Sequence, residues 1–141
     1  ARQMRAMVPY VDVMKLSDEE TALLTDEVDP AAAAAVLLAR GVKCAVVTLG
    51  AEGALAATAE GMRHVPGFFV DAVDTTGAGD AFWGGFLHRM LALGKAPDGL
   101  TPDDAADCAR WGNATAALCV TKRGAIPAMP AAAAVVALLA E

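Results

Sequence analysis

The sequence has little positive charge, few aromatic residues and no long apolar run. Lys and Arg number 11 against 17 Asp and Glu, which gives the 141-residue chain a formal net charge of -6. Nucleic-acid surfaces need clustered basic side chains, so this balance argues against a nucleic-acid partner. It does not argue against phosphate ligands, because backbone amides and helix N-termini bind anions in acidic proteins too.

The apolar runs are too short for a membrane span, which needs roughly 20 residues. The two longest, 31–39 and 131–140, are alanine-rich and predict short packed helices. Because the first residues lead into no long apolar segment, we expect no secretion signal and a cytoplasmic protein. The three cysteines are an odd number in apolar surroundings without metal-ligand spacing, which indicates buried thiols: Cys44, Cys108 and Cys119.

Strand and helix patterns alternate along the chain, which predicts an α/β domain. Residues 10–14 (YVDVM) predict a short strand, and residues 44–49 (CAVVTL) form an apolar, β-branched run typical of a strand covered on both faces. Residues 54–57 and 62–65 indicate a hairpin. We expect a doubly wound, largely parallel sheet with flanking helices, with this hairpin as its antiparallel portion and with ligands at the carboxyl ends of the strands.

Capping signals mark the starts of the predicted helices. The helix from Asp80 to about Leu93 is apolar over so much of its circumference that we expect it to be buried. We expect four further helices. The first begins at Ser17, and the others extend from Asp29 to about Arg40, from Thr101 to about Cys119 and from Ala131 to Glu141.

The strongest chemical signal is the segment 74–80 (DTTGAGD), a glycine-rich turn that leads into the buried helix. The amides of Gly77, Ala78 and Gly79 can point into one concavity, where the helix dipole favours an anion. Asp80 lies at the same helix start. An anion hole beside a carboxylate suits phosphoryl transfer, because negative charge develops on the phosphoryl oxygens while the carboxylate accepts a proton. From the spacing alone, the alternative that Asp80 only caps the helix is equally open.

Together with residues 81–86 (AFWGGF), this segment resembles the second signature of the PfkB, or ribokinase-like, carbohydrate kinases. Three more regions resemble that family in the same order. Residues 15–20 (KLSDEE) are similar to its N-x-x-E region, residues 47–53 (VTLGAEG) to its nucleotide-binding strand and turn, and residues 113–125 to its adenine and cation region. The resemblance covers nearly the whole chain and implies a ribokinase-like fold.

The resemblance implies an ATP-dependent kinase that phosphorylates a sugar hydroxyl. Asp80 would deprotonate that hydroxyl, and Gly77, Ala78 and Gly79 would form the anion hole. Ser17 and Glu20 would lie near magnesium and phosphate, although Ser17 replaces the family's Asn and the pair also fits a plain capping box. The residues expected along ATP are Thr48, Gly50, Gly53 and Asn113.

The resemblance also implies a site for a potassium-type ion, which would orient the anion hole without touching the substrate. A carboxylate with converging carbonyl oxygens is suitable for a hard cation. The residues expected there are Asp74 and Thr76, together with backbone groups of Cys119, Lys122 and Gly124.

Members of this family carry an N-terminal half with the first glycine-rich signature, most sugar contacts and a β-sheet lid, and nothing in this sequence matches those parts. We therefore expect residues 1–141 to be the C-terminal, nucleotide-binding and catalytic part, with little or no turnover alone because lid closure completes such a site. The exposed sheet edge would invite pairing with another chain, so a homodimer is a further expectation.

The identity of the sugar stays open. The motifs look most like those of fructokinases, but ribokinases and ketodeoxygluconate kinases share much of the pattern. Two alternatives from other classes also stay open, namely a nucleotide-binding pseudokinase and a structural or oligomerisation fragment with a vestigial motif. A measurement of ATP binding would distinguish the structural fragment from the kinase and the pseudokinase. A measurement of phosphoryl transfer would then distinguish the kinase from the pseudokinase.

Overall fold

Strand β2 (Cys44–Thr48) is the buried centre of the structure, a computed structural model that describes residues 2–141. Cys44 and Val46 face one apolar cluster, whereas Ala45 and Val47 face a second cluster on the other side of the sheet. Alternate residues of a strand point to opposite faces, so both faces of β2 are covered. The prediction of a strand buried on both faces is therefore confirmed.

Four strands form one mixed sheet in the order β1-β2-β3-β4. Strand β1 (Val13–Ser17) pairs parallel with β2, and the predicted hairpin of β3 (Ala54–Thr58) and β4 (Gly61–Val65) continues the sheet through two antiparallel pairs. The sheet is thus not largely parallel over these four strands. The reason is that β2 is followed by a short turn, Gly50–Glu52, and not by the crossover helix that a parallel neighbour would need.

Strand β1 begins at Val13, three residues later than the sequence suggested. Tyr10 is exposed in a helical turn that precedes the sheet. The position of β1 is determined by its partner, because the Asp12 carbonyl accepts hydrogen bonds from the amides of Lys43 and Cys44, and Val13 pairs with Cys44. The start of β1 therefore depends on a long-range register that a local pattern does not contain.

Helices cover both faces of the sheet. Helices α2 (Thr21–Thr25) and α3 (Pro30–Ala39) contribute Leu24 and Leu37 to the cluster around Val47. Helices α4 (Ala78–Leu93) and α5 (Pro102–Val120) contribute Phe86 and Cys108 to the cluster around Val46.

The helix that the sequence predicted to be buried is α4, which buries only one face: Phe82 and Phe86 are buried, whereas Leu91 is exposed. No helix of residues 2–141 has the length and the apolar character that crossing a membrane requires. The remaining helices of the described residues are α1 (Arg2–Met7) and α6 (Ala132–Leu139).

The three cysteines are free and buried, as the sequence predicted. Cys44 and Cys108 lie in the cluster between the sheet and helices α4 and α5, and burial raises the pKa of each thiol to about 12. Cys119 packs with Ala81 and Ala128, and burial raises its pKa as well. At neutral pH these thiols are protonated and act as small apolar side chains.

Helices α4 and α5 approach each other closely at two glycines. A Cβ atom on Gly85 would lie 2.3 Å from the Thr115 hydroxyl oxygen and 2.8 Å from the Trp111 carbonyl oxygen. A Cβ atom on Gly112 would lie 2.8 Å from the Phe82 ring. This close approach holds α4 against the rest of the domain, and the glycine-rich turn of interest leads directly into α4.

We expect Gly85→Ala to lower the free energy of unfolding by about 1–3 kcal/mol, because an added methyl group would overpack the helix contact. Gly84 is the matched control, since it is exposed and a Cβ atom there would meet nothing within 4 Å. We expect Gly84→Ala to raise stability by up to about 1 kcal/mol, the helix preference of alanine over glycine. Urea unfolding measures both changes, and equal stability of the two variants would contradict the close packing.

Candidate active site

The glycine-rich turn ends at the N-terminus of α4, which begins at Ala78. Gly77 is the residue before the helix and has a left-handed backbone with φ of 80°. A Cβ atom on Gly77 would also lie 2.6 Å from the Cβ atom of Ala125. Only glycine fits both the positive φ and this contact without strain. Asp80 is exposed in the first turn of α4.

The three amides of the predicted anion hole are not equivalent. The Ala78 N–H donates to the Thr75 carbonyl over 3.2 Å, so it is engaged within the turn itself. The N–H groups of Gly77, Gly79 and Asp80 find no acceptor among residues 2–141. The amides that remain available to an anion are therefore those of Gly77, Gly79 and Asp80, with Asp80 taking the place expected for Ala78.

A cavity of about 480 Å³ lies beside this turn. Thr48, at the carboxyl end of β2, lines the cavity, which agrees with the expected position of ligands at strand ends. The volume of this cavity and its mainly apolar lining are both typical of sites that bind small molecules. The lining includes all four residues expected along ATP and two from the anion hole: Thr48, Gly50, Gly53, Asn113, Ala78 and Gly79.

One wall of the cavity is a face of helix α5. Asn113, Ala116, Ala117 and Val120 all line it and are spaced as neighbours on one helical face. The alanine side chains are small, so they leave room between α5 and the opposite wall. This spacing is present in the sequence and would have identified the wall. The opposite wall, residues 67–70, has no regular secondary structure and carries no pattern that predicts its position.

Three of the residues expected along ATP also hold the cavity walls. Buried Asn113 donates from its Nδ2 atom to the carbonyls of Val65 and Pro66, each over 3.1 Å. The Thr48 hydroxyl donates to the Leu16 carbonyl over 3.3 Å. Gly53 has φ of 98°, and a Cβ atom on it would lie 2.0 Å from the Val65 carbonyl oxygen. The contacts of Asn113 and Gly53 fasten the chain that leaves β4 and continues into the irregular wall, whereas the contact of Thr48 joins β2 to β1.

Ser17 and Glu20 lie at the carboxyl end of β1 and do not line the 480 Å³ cavity. The Glu20 carboxylate accepts hydrogen bonds from the Ser17 amide over 2.8 Å and from the Ser17 hydroxyl over 3.1 Å. Ser17 pairs with Thr48 across β1 and β2, so this capped turn is beside a residue of the cavity wall. Both hydrogen bonds reach the same carboxylate oxygen, which leaves the other oxygen free of these contacts.

Asp74 joins the two loops that the sequence assigned to a monovalent cation. Its Oδ1 atom accepts a hydrogen bond from the Thr76 amide and its Oδ2 atom accepts one from the Gly124 amide, each over 2.9 Å. The amides of Val73 and Asp74 also donate to the Val120 carbonyl at the end of α5. The two loops are therefore adjacent, as expected, although Asp74 and Gly124 are 50 residues apart.

The hydrogen bonds from Gly124 and Thr76 lower the pKa of Asp74 to about 2, so its carboxylate is charged at neutral pH. The Lys122 amide donates to the Cys119 carbonyl over 3.3 Å, which closes the second loop. No group of three or more His, Cys, Asp or Glu side chains in residues 2–141 could hold a metal ion. A cation at these loops would therefore depend on Asp74 and on backbone carbonyls.

Asp80 lines a second, smaller cavity of about 240 Å³, which α4 shares with α5 and the C-terminal segment. Gly84 and His88 continue this lining along α4, and Trp111 and Val135 contribute from the other two elements. Ala78 and Gly79 line the larger cavity. The first turn of α4 thus presents the free amide of Gly79 beside the larger cavity and the Asp80 carboxylate beside the smaller one.

Comparison with known families agrees with this geometry. Residues 1–132 match the family described as pfkB family carbohydrate kinase. The chain belongs to the pfkB carbohydrate kinases. The ribokinase-like fold expected from the sequence is confirmed by similarity to solved kinases of this family.

Relatives of this pfkB chain include sugar kinases from plants and bacteria. A probable fructokinase-5 from Arabidopsis thaliana is 40% identical over 123 residues, which are 84% of this chain and 36% of that protein. Fructokinase from Vibrio cholerae O395, solved with fructose, ADP and a calcium ion, has a TM-score of 0.83 and 40% identity over 96% of this chain and 43% of its own. A double mutant of that enzyme has been solved with fructose, ADP and a potassium ion.

Aminoimidazole riboside kinase from Salmonella enterica, solved with aminoimidazole riboside and an ATP analogue, is also similar. Its TM-score is 0.82, and it is 34% identical over 99% of this chain and 46% of its own. The pfkB chain described here therefore spans less than half the length of each of these relatives.

We expect Asp74→Asn to destabilise the domain at neutral pH, because an amide accepts the Gly124 and Thr76 N–H groups less well than a carboxylate does. The pKa of Asp74 is about 2 in the folded chain and roughly 3.9 in an unfolded one. The stabilisation is therefore fully present above the unfolded pKa and is lost as the pH falls toward 2. The difference in melting temperature between wild type and variant should shrink across this range.

Asp71→Asn is the matched control, because Asp71 is an exposed residue of the same loop with no hydrogen bond to other residues of the described chain. Melting temperatures measured from pH 7 to pH 2 should differ little between this variant and wild type. A constant difference for Asp74→Asn at all pH values would contradict the role assigned to its carboxylate.

Proposed function

We propose that the protein transfers the γ-phosphoryl group of ATP to a hydroxyl group of a sugar, with a fructose-like acceptor. Membership of the pfkB family and the similarity to a fructokinase solved with fructose and ADP support this reading. The observation that carries it is the first turn of α4, where the unpaired amides of Gly77 and Gly79 adjoin the carboxylate of Asp80.

The nucleotide would occupy the 480 Å³ cavity. Its base would lie against the apolar face of α5, and the glycines at positions 50 and 53 would leave space for the ribose and phosphates beside Thr48. The phosphate chain would then extend toward the N-terminus of α4, where Gly79 lines the cavity. Backbone amides and the helix dipole would bind its negative charge there.

The reaction needs one proton acceptor and one group that holds the phosphoryl oxygens. The sugar oxygen bonds to the γ-phosphorus, the bond from that phosphorus to the β–γ bridging oxygen breaks, and ADP leaves with the electron pair. Asp80 takes the proton of the sugar hydroxyl. The amides of Gly77, Gly79 and Asp80 stabilise the charge on the phosphoryl oxygens, which is the largest contribution that such sites make to catalysis.

Two cations fit residues of this chain. Magnesium keeps several waters and binds one or two carboxylates together with phosphates, and Glu20 has one oxygen free of its contacts with Ser17. A potassium ion would be held by charged Asp74, by Thr76 and by backbone carbonyls of the loop from Cys119 through Lys122 to Gly124. Bound magnesium would neutralise phosphate charge, and a bound potassium ion would stiffen the turn before α4 without touching the substrate.

The chain would supply the nucleotide-binding and catalytic part of the kinase, and a separate N-terminal part would supply the sugar contacts and the lid. We expect little or no turnover from residues 1–141 alone, since no segment of residues 2–141 forms a lid over the α4 turn. The free edge of β1 would pair with a further strand of the same protein or with a second copy. A riboside acceptor is the second candidate, because a riboside kinase is 34% identical to this chain.

We expect Asp80→Asn in the intact kinase to lower turnover on the order of 10²–10⁴-fold while the fold and most ATP affinity remain. Asparagine is nearly isosteric with aspartate, and no side chain caps α4, so the substitution removes no capping hydrogen bond. The asparagine amide cannot accept the proton. Turnover, melting temperature and ATP affinity are measured on the same preparation.

Asp103→Asn is the matched control, because Asp103 is an exposed carboxylate in the first turn of α5. Its loss should change turnover little. If Asp80→Asn phosphorylates sugar at the wild-type rate, the catalytic assignment of Asp80 is wrong.

A further inference from the structure

Phe69 lies at the rim of the 480 Å³ cavity with its aromatic side chain in solvent. Among the large apolar side chains of residues 2–141 it has the highest fractional exposure, since the side chain is fully exposed. A single exposed apolar residue is ordinary on a protein surface. An aromatic side chain can bury roughly 150–250 Å² of surface, however, and a ligand in the cavity would cover part of this one.

The segment that carries Phe69 has hydrogen bonds only at its two ends. At one end the Pro66 carbonyl accepts a hydrogen bond from the Asn113 side chain over 3.1 Å. At the other end the Val73 amide donates to the last residue of α5 over 2.7 Å. Residues 67–72 make no hydrogen bond to other residues of the described chain. The aromatic ring can therefore move toward the cavity without the loss of a hydrogen bond.

The wall opposite this segment is the face of α5 that carries Ala116, Ala117 and Val120. These side chains are apolar and offer no hydrogen-bonding group to a ligand. A planar base placed between this wall and the ring of Phe69 would cover both apolar surfaces at once. Aromatic side chains stack on any base, because every base has a π-face, and the contact is insensitive to the groups on the edge of the base.

The polar side chains that line the cavity do not distinguish one purine from the other. Both hydrogens of the Asn113 amide are used, because its Nδ2 atom donates to two backbone carbonyls, so Asn113 offers a ligand only an acceptor. Adenine and guanine each carry an amino group that can donate to this acceptor. The Thr48 hydroxyl donates its hydrogen to the Leu16 carbonyl, and Thr75 lies in the glycine-rich turn where the phosphates would bind.

We propose that the site selects a purine nucleotide as its phosphoryl donor by stacking on Phe69, and that it does not distinguish adenine from guanine. This inference rests on the proposed kinase function and deepens it by naming the class of donor. A base that stacks on the ring presents its face to the segment 67–72, so the backbone groups there do not read its edge. A purine has two fused rings and covers more of Phe69 than a pyrimidine does. GTP therefore replaces ATP as the donor, whereas UTP does not.

The test measures the dissociation constants of ATP, GTP and UTP for the intact protein, with magnesium and without sugar. We expect the wild type to bind ATP and GTP within about fivefold of each other and UTP at least about tenfold more weakly. Phe69→Leu keeps an apolar side chain but has no π-face, so it should weaken the binding of ATP and GTP by about tenfold and reduce their advantage over UTP. Phe69→Trp should keep the wild-type affinities.

Tyr10→Leu is the matched control, because Tyr10 is an exposed aromatic residue that lines neither cavity. It should leave all three affinities unchanged. Inorganic tripolyphosphate, which has no base, is the matched ligand, and it should bind Phe69→Leu as tightly as it binds the wild type. A larger preference for ATP over GTP would overturn the proposal, because it requires a group that reads the edge of the base. Wild-type affinities in Phe69→Leu, or UTP binding equal to that of ATP, would overturn it as well.

Failure of the kinase function itself would look different. A wild-type protein that binds these nucleotides but phosphorylates no sugar would refute that function. The affinities for the three nucleotides need no turnover and no variant, and they would still decide how the base is selected.

Discussion

The arrangement of the site depends on the carboxylate of Asp74, which binds the loop before α4 to the loop after α5. Its two oxygens accept hydrogen bonds from Thr76 on one side and Gly124 on the other. Gly77 then turns with a left-handed backbone against Ala125, the residue that follows Gly124. Residues distant in sequence thereby fix the direction in which α4 begins, and with it the direction of every unpaired amide at its N-terminus. Without this connection the turn would be an ordinary surface loop.

The rest of the site is built around that fixed turn. Helix α5 ends at the two loops and provides the small apolar residues that leave room for a nucleotide, and Asn113 fastens the opposite wall by its contacts with Val65 and Pro66. The first turn of α4 carries Gly79 in the wall of this cavity and Asp80 beside a second cavity. The phosphoryl transfer proposed above needs hydrogen-bond donors beside a proton acceptor, and this turn carries both.

The sequence predicted those features whose cause is local. The apolar run of β2, the hairpin and the position of helix α4 follow from periodicity and turn residues, and the segment 74–80 carries its own chemical signal. The start of β1 was missed because it is set by long-range pairing with β2. The exposure of one face of α4 was missed because its apolar residues do not show which of them the rest of the domain covers. The hydrogen bond from the Ala78 amide to Thr75 was missed because it depends on the backbone shape of the loop, which the residue types alone do not determine.

The central claim is that the unpaired amides at the start of α4 bind the phosphates of ATP, and amide NMR spectra of the ¹⁵N-labelled protein test it most directly. The protein is titrated with AMP and, separately, with a non-hydrolysable ATP analogue. Both nucleotides should shift the amide signals of Ala116 and Ala117 on the α5 wall. Only the ATP analogue should strongly shift those of Gly77, Gly79 and Asp80, while Ala78, already bonded to Thr75, should move less. Equal shifts of the α4 amides with both nucleotides, or none with either, would contradict the account.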